Sequence, residues 1–319
     1  MQSLLNVGGL MGWTIIALTP ALITQMIFWG WGPLLNLIVA LIAALTTESI
    51  CVRLRGWAVG YTLRDGSAIL SAFILALSLP PQLPVYYVIF GACFMMVFGK
   101  HIFGGLGANP FNPAMLAYVM LLLSFPIEMT EWLLPRTWDY LTQTDLILSK
   151  FGKALTIADA YSAATALDSA RSSNNFQLWQ ASWDSANFIP FIILSIVYGL
   201  GGIFLIFMRI ITWHIPVTVI CGLVVPATLF NLFSDAYPPA WFHLILGGSV
   251  FGAFFVATDP VSAATNRLSR LIYGCGIGVF IFIIRSWGGY ADAVAFAVLF
   301  FNFVAPFIDK YVKPRVYGQ

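Results

Sequence analysis

The sequence predicts an all-α polytopic membrane protein of about ten transmembrane helices in two inverted five-helix repeats. Three observations lead there. First, of 319 residues 60% are hydrophobic and only 9% charged, against about 25% charged in a soluble domain, and mean hydropathy is +0.88. Second, the apolar residues fall in continuous runs rather than alternating, which excludes an outer-membrane barrel and favours helices, whose backbone groups are satisfied within each segment. Third, stretches of the two halves resemble each other. The net charge of +2 gives no reason to expect a nucleic-acid partner; membrane lipids are the expected surroundings. The N-terminus shows neither a basic start nor an Ala-x-Ala site, so no cleavable signal peptide is expected.

A span needs about 20 apolar residues, and the runs divide at Gly, Pro and charged positions. The first five lie near 11–29, 33–51, 67–82, 84–103 and 110–126. A polar stretch follows, and five more runs lie near 187–208, 210–233, 242–258, 270–286 and 289–308. Residues 1–126 are therefore read as one membrane repeat, 127–186 as a loop and 187–319 as a second repeat. With the N-terminus inside, ten Lys and Arg residues fall on the cytoplasmic side and five on the other, four of the five in the long loop and Arg285 in a short one. This bias places both termini in the cytoplasm and the loop outside it. The loop carries seven of the thirteen acidic residues. Trp132, Trp138, Trp179 and Trp183 read as interfacial anchors. The four cysteines sit in or beside separate apolar runs and read as small core residues. The three histidines lack metal-ligand spacing.

Gly66-Ser67-Ala68-Ile69 through Ala76 resembles Gly248-Ser249-Val250-Phe251 through Ala257, and Gly104-Gly105 resembles Gly288-Gly289, at offsets of about 181 to 184. Each match relates a helix to the one five places later, so the halves would run antiparallel, as in many transport folds. Chance likeness between apolar helices is the competing explanation.

Three motifs carry candidate chemistry. Asp159-Ala160-Tyr161-Ser162-Ala163-Ala164-Thr165 lies in the polar loop. Its small alanines leave access to the Thr165 hydroxyl, with Ser162 and Asp159 placed to orient a nucleotide or its metal ion. Helix capping explains the same residue types. In Gly104-Gly105-Leu106-Gly107-Ala108-Asn109-Pro110-Phe111-Asn112-Pro113, glycines allow close approach and prolines forbid regular helix. Asn109 and Asn112 suit the alternating carbonyl and N–H edge of a flavin ring, or else cap local backbone. The glycine spacing fits neither phosphate-binding motif. Asp259, in Ala257-Thr258-Asp259-Pro260, ends an apolar run. An ionisable group there is either functional or an N-cap before Pro. Asp292 and Glu48 are weaker candidates that an interface position would explain.

Together these motifs, in this order around a long loop, resemble RnfD, a membrane component of the Rnf electron transport complex, in a family homologous to NqrB of the sodium-translocating NADH:quinone reductase. The likeness spans nearly the whole chain, and its compact length favours the Rnf component. Ala163 stands where many relatives have glycine. The resemblance implies a fold similar to urea and ammonium channels. It implies FMN attached through its phosphate to Thr165 within the motif Asp159, Ser162, Ala164, by a separate flavin transferase. It implies a second, non-covalent flavin, riboflavin, near Asn109, Asn112 and Asp259. The expected function is a flavin-bearing electron-transfer subunit of an ion-pumping ferredoxin:NAD⁺ oxidoreductase in a bacterial inner membrane, moving Na⁺ or H⁺. The other Rnf subunits supply the NAD and iron–sulfur sites, so no catalytic residue is assigned here. The rivals are a component of the quinone reductase, a passive channel or transporter on the same scaffold, and a purely structural membrane scaffold.

Overall fold

The computed structural model describes residues 7–133, 135, 147–148, 150–151, 162–164, 167, 188–234, 236–290 and 293–312. Helices α1 (Val7–Trp29), α2 (Gly32–Leu54), the short α3 (Val59–Thr62), α4 (Ser67–Ser78), α5 (Val85–Met96) and α6 (Pro113–Ser124) form the first half. A π turn over Val97–His101 extends α5. A short α7 (Pro126–Thr130) leads into strand β1 (Glu131–Leu133), and strand β2 is Ser162–Ala164. The second half contains α8 (Ile189–Phe207), α9 (His214–Phe233), α10 (Ala240–Ile245), α11 (Ser249–Phe251), α12 (Arg267–Trp287) and α13 (Val294–Tyr311). Helix α11 continues as a π turn through Val256.

All ten expected runs are helical, but only six described helices are long and apolar enough to cross a membrane: α1, α2, α8, α9, α12 and α13. Helix α4 has 12 residues and is about 18 Å long, short of a hydrocarbon core of about 30 Å. The eighth expected run is broken at Leu246-Gly247-Gly248 into α10 and α11. These short pieces are the core of the bundle. Ala72, Leu75 and Ala76 of α4, and Ala253 and Ala257 in and just after the π turn of α11, have no exposed surface. Irregular backbone at membrane depth is tolerated only where protein or a cavity covers it, and here protein does. Length and composition suggested spans because a buried half-helix is as apolar as a lipid-facing one.

The helix starts recur at constant spacing. Val7 and Ile189, Gly32 and His214, Ser67 and Ser249, and Val85 and Arg267 are each 182 residues apart, and Pro113 and Val294 are 181 apart. Helices α3 and α10 fit the same series. Across the middle, matching elements meet: α1 packs on α8 and α6 on α13. The resembling Gly66 and Gly248 do the same job. Each starts a half-helix from the left-handed region, with φ of 72° and 64°, which only glycine enters without strain.

Two ends of the bundle can be named. The loop end holds β1, β2 and the connections after α1, α4 and α12; the opposite end holds those after α2, α5 and α11. Cys221 and Cys275 are exposed rather than buried and Cys51 and Cys93 half-buried, so the cysteines are not the core residues expected.

Candidate functional site

At the loop end, β1 and β2 pair antiparallel, with Glu131 opposite Ala164, Trp132 opposite Ala163 and Leu133 opposite Ser162. Two side chains of the membrane part hold β1. The Trp29 indole N–H donates to the Leu133 carbonyl at 2.9 Å, and the Gln82 amide donates to the Glu131 carbonyl at 2.6 Å. Leu133 is buried against Trp29, Phe191 and Leu194. The backbone of Ser162 and Ala164 is thus fixed to the end of the bundle. Asp159 and Thr165 lie outside the described residues, as do Trp138, Trp179, Trp183 and Asp292. The next described residue, Leu167, is buried in a cluster with Phe188, Phe242 and Leu246. The chain is therefore anchored within one residue before Thr165 and two after it.

Beneath this strand pair a cavity of about 180 Å³ separates the two halves. It exceeds the ~150 Å³ void that accepts benzene in an engineered protein core. Trp132 of β1 and Leu167 line it, with Gly247 and Gly248 from the break before α11. Aromatic walls come from Trp29, Tyr118, Phe191 and Tyr290. Its few polar groups include Gln25 and Tyr198, which face each other at 3.4 Å while Gln25 also donates to the Leu77 carbonyl that ends α4. An apolar, aromatic hollow with a few placed polar groups suits a planar ring system. Arg285, expected in a loop, is instead buried within α12. Its guanidinium donates to the carbonyls of His243 at 2.7 Å and Gly247 at 2.9 Å. It thereby holds the glycine wall of the cavity.

At the opposite end Gly104, Gly105 and Gly107 have φ of 117°, 103° and 93°, so the turn needs them. Asn109 and Asn112 are both buried, and much of their hydrogen bonding is local. Asn109 accepts from the Gly107 N–H at 3.3 Å and donates to the Phe111 carbonyl at 3.0 Å. Asn112 caps α6 by accepting from the Ala114 and Met115 N–H groups at 3.0 and 3.3 Å. It also donates to the Val256 carbonyl at 3.4 Å, which joins this turn to the one carrying Asp259. Asp259 accepts from the Ser262 hydroxyl at 2.7 Å. Burial raises its carboxyl above the ordinary carboxylate value, and hydrogen bonds from Ser262 and Val261 act against that. With its amide turned to suit its neighbours, Asn302 accepts from the Asn112 N–H at 3.0 Å and donates to the Tyr273 hydroxyl at 2.7 Å. Asn112, Asn302 and Tyr273 thus form one buried polar network, which the Asn112 bond to Val256 ties to the turn that carries Asp259.

Asn302 and Tyr273 were missed in the sequence because single polar residues in apolar helices carry no motif. Trp29 and Gln82 had no signal at all. Glu48, a weaker candidate that an interface position would also have explained, is fully buried and ion-paired with Lys100.

The chain is 41% identical over 338 residues to the D subunit of the ion-translocating oxidoreductase complex of Vibrio cholerae serotype O1 (strain O395), covering 100% of this chain and 97% of that protein. It is 41% identical to the protein of that name in Marinobacter nauticus, covering 96% and 90%. With that of Alcanivorax borkumensis it shares 42%, covering 98% and 93%. The model of the NQR2, RnfD, RnfE family matches residues 1–318. A helical, multi-pass membrane chain matched over residues 1–318 in this way belongs to the NQR2, RnfD, RnfE family.

Proposed function

We propose that this chain is the flavin-carrying membrane subunit of an ion-translocating ferredoxin:NAD⁺ oxidoreductase of the Rnf type, with FMN joined through its phosphate to Thr165. One observation carries this reading. The strand of the attachment motif, Ser162–Ala164, is stitched to the bundle directly over an aromatic cavity between the halves. Its relatives' shared name, an ion-translocating oxidoreductase subunit, supports the same role. The flavin would supply the electron-transfer chemistry. The chain's part is to tether and seat it: the β1–β2 pair holds the motif, Trp29 and Phe191 give apolar walls, and Gln25 and Tyr198 offer hydrogen bonds. At the opposite end Asn109, Asn112 and Asp259 are the candidates for a second, non-covalent riboflavin. Partner subunits supply the iron–sulfur and nucleotide sites, and a flavin transferase the attachment. The coupled ion is Na⁺ or H⁺, in a bacterial inner membrane with the strand pair on the periplasmic side.

The test is in-gel flavin fluorescence of the denatured chain after co-expression with a flavin transferase, beside Thr165→Val. We expect a fluorescent band that disappears in the variant. Fluorescence retained in the variant moves the attachment elsewhere. No band in either, with the transferase active on a known substrate, would favour a passive channel on the same scaffold, a reading to which the cavity between matched halves also lends itself.

A further inference from the structure

A charged cluster lies where α2, α4 and α5 meet at the opposite end, beside the glycine turn, whose Gly104 and Gly105 N–H groups donate to the His101 and Lys100 carbonyls at 3.1 Å. Glu48 and Lys100 are 0% and 2% exposed, His101 4%, and Asp65 18%. The Lys100 ammonium donates to Glu48 Oε1, to Asp65 Oδ2 at 3.1 Å and to the Ser67 hydroxyl at 2.6 Å. Asp65 in turn accepts from the Ser67 N–H at 2.8 Å and its hydroxyl at 2.7 Å, which fixes the start of α4. Two carboxylates thus share one ammonium.

The remaining titratable neighbours do not restore the balance. Arg55, at the rim, donates to the His101 carbonyl and lies over the Trp57 ring at 5.1 Å. Cys51 on α2 and Cys93 on α5 are half-buried thiols. Among the described residues, Glu48 Oε2 and both His101 ring nitrogens are buried without a hydrogen-bond partner, yet His101 Nε2 is 4.0 Å from Glu48 Oε1. A buried carboxylate oxygen and a buried imidazole left unsatisfied are each costly. With Glu48 and Asp65 ionised against Lys100 alone, one added proton on Glu48 or His101 brings this buried set from a net charge of −1 to zero.

We propose that Glu48 and His101 form a proton-binding site that takes up one exchangeable proton from the side carrying the α2–α4 connection, with the partly exposed Asp65 at its entrance. The ligand is a proton rather than a metal cation because Lys100 already sets an ammonium against both carboxylates. Uptake forms one O–H or N–H bond at the expense of a water-borne proton, and nothing is oxidised or reduced. That this side is cytoplasmic rests on the orientation proposed above; the site itself does not depend on a flavin.

The test uses the full chain in lipid nanodiscs. Infrared difference spectra follow the protonated carboxyl across about pH 5 to pH 9, and nitrogen-15 NMR follows the three histidines, with His101→Gln assigning its signal. We expect a buried carboxyl band and the His101 signal to titrate together. In Glu48→Gln the band should vanish and His101 should hold its proton at least tenfold less tightly. Lys100→Met should change proton affinity in the opposite sense, upward. The wild-type titration stands on its own if a variant fails to fold. A Glu48 that stays ionised beside a His101 that stays neutral throughout overturns the proposal. So does a Glu48 signal that responds to Na⁺ in place of choline at fixed pH but not to pH.

Discussion

Trp29 and Lys150 do at single positions what no motif announces. The Trp29 bond to Leu133 is the indole link between α1 and β1, the strand that pairs with the strand of the attachment motif. Trp29→Phe keeps most of the apolar packing and removes the donor, leaving the carbonyl of Leu133 short of a partner, at a cost of about 1–3 kcal/mol. We expect this variant to fold, to melt at lower temperature and to accept covalent flavin more slowly than wild type. Quantitative in-gel fluorescence against time checks that. Lys150 is buried, and its ammonium donates to Asn36 Oδ1 at 2.5 Å and the Leu83 carbonyl at 3.1 Å. Burial lowers its pKa from 10.5 to about 7, because the charged form loses water. The unfolded chain therefore binds more protons at this residue than the folded chain between about pH 7 and pH 10.5, so this contribution to stability rises with pH across that window and is at its lowest below it. Melting temperature should climb from neutral to alkaline pH in wild type, and the climb should shrink in Lys150→Met. Identical pH slopes in the two proteins would remove Lys150 as the cause.

Helix pairs show where packing rather than pattern sets the structure. Helices α9 and α12 approach so closely that a methyl group on Gly278 would sit 2.2 Å from the Val219 carbonyl oxygen and 2.7 Å from the Leu223 nitrogen. One on Gly222 would sit 2.4 Å from the Cys275 carbonyl oxygen. Gly274 and Gly278 form the small-xxx-small face that lets membrane helices meet backbone to backbone. Backbone atoms cannot rotate aside, so Gly278→Ala should force the helices apart and cost about 1–3 kcal/mol. Gly12 in α1 has nothing within 4 Å of the added methyl, so Gly12→Ala should be neutral or stabilising, by about 0.5–1 kcal/mol, through helix propensity. Thermal unfolding in one detergent, with both variants side by side, reads the difference. Equal losses would mean that the α9–α12 contact does not depend on its glycines. These glycines were visible in the sequence as residues, but their partners were not. Which face of an evenly apolar helix turns inward depends on close approach, and hydrophobicity is silent about that when lipid and core are equally oily.

Across the whole molecule, the likeness of Gly66 and Gly248 was legible because each opens a half-helix from a left-handed conformation, and a shared constraint leaves a shared sequence. The half-helices themselves were read as spans, since α4 is buried among other helices and its apolar run says nothing of its neighbours. The candidate site was legible as motifs and not as a place. Nothing in Asp159 to Thr165 predicts a bond from Trp29 or a wall at Gly247. The orientation of the whole is a consequence of charge that can be tested separately. If the Lys and Arg bias governs insertion, the segment at Phe151, which is 65% exposed, faces outward, and the connector at Tyr61, which is 84% exposed, faces the cytoplasm. In a chain with Cys51, Cys93, Cys221 and Cys275 replaced by serine, Phe151→Cys should react with a membrane-impermeant maleimide on intact cells. Tyr61→Cys should react only after the membrane is opened. Because a flavin transferase outside the cytoplasm can reach only the first side, the reverse labelling pattern would separate Thr165 from the enzyme that is to modify it, and the covalent FMN reading would fall together with the orientation.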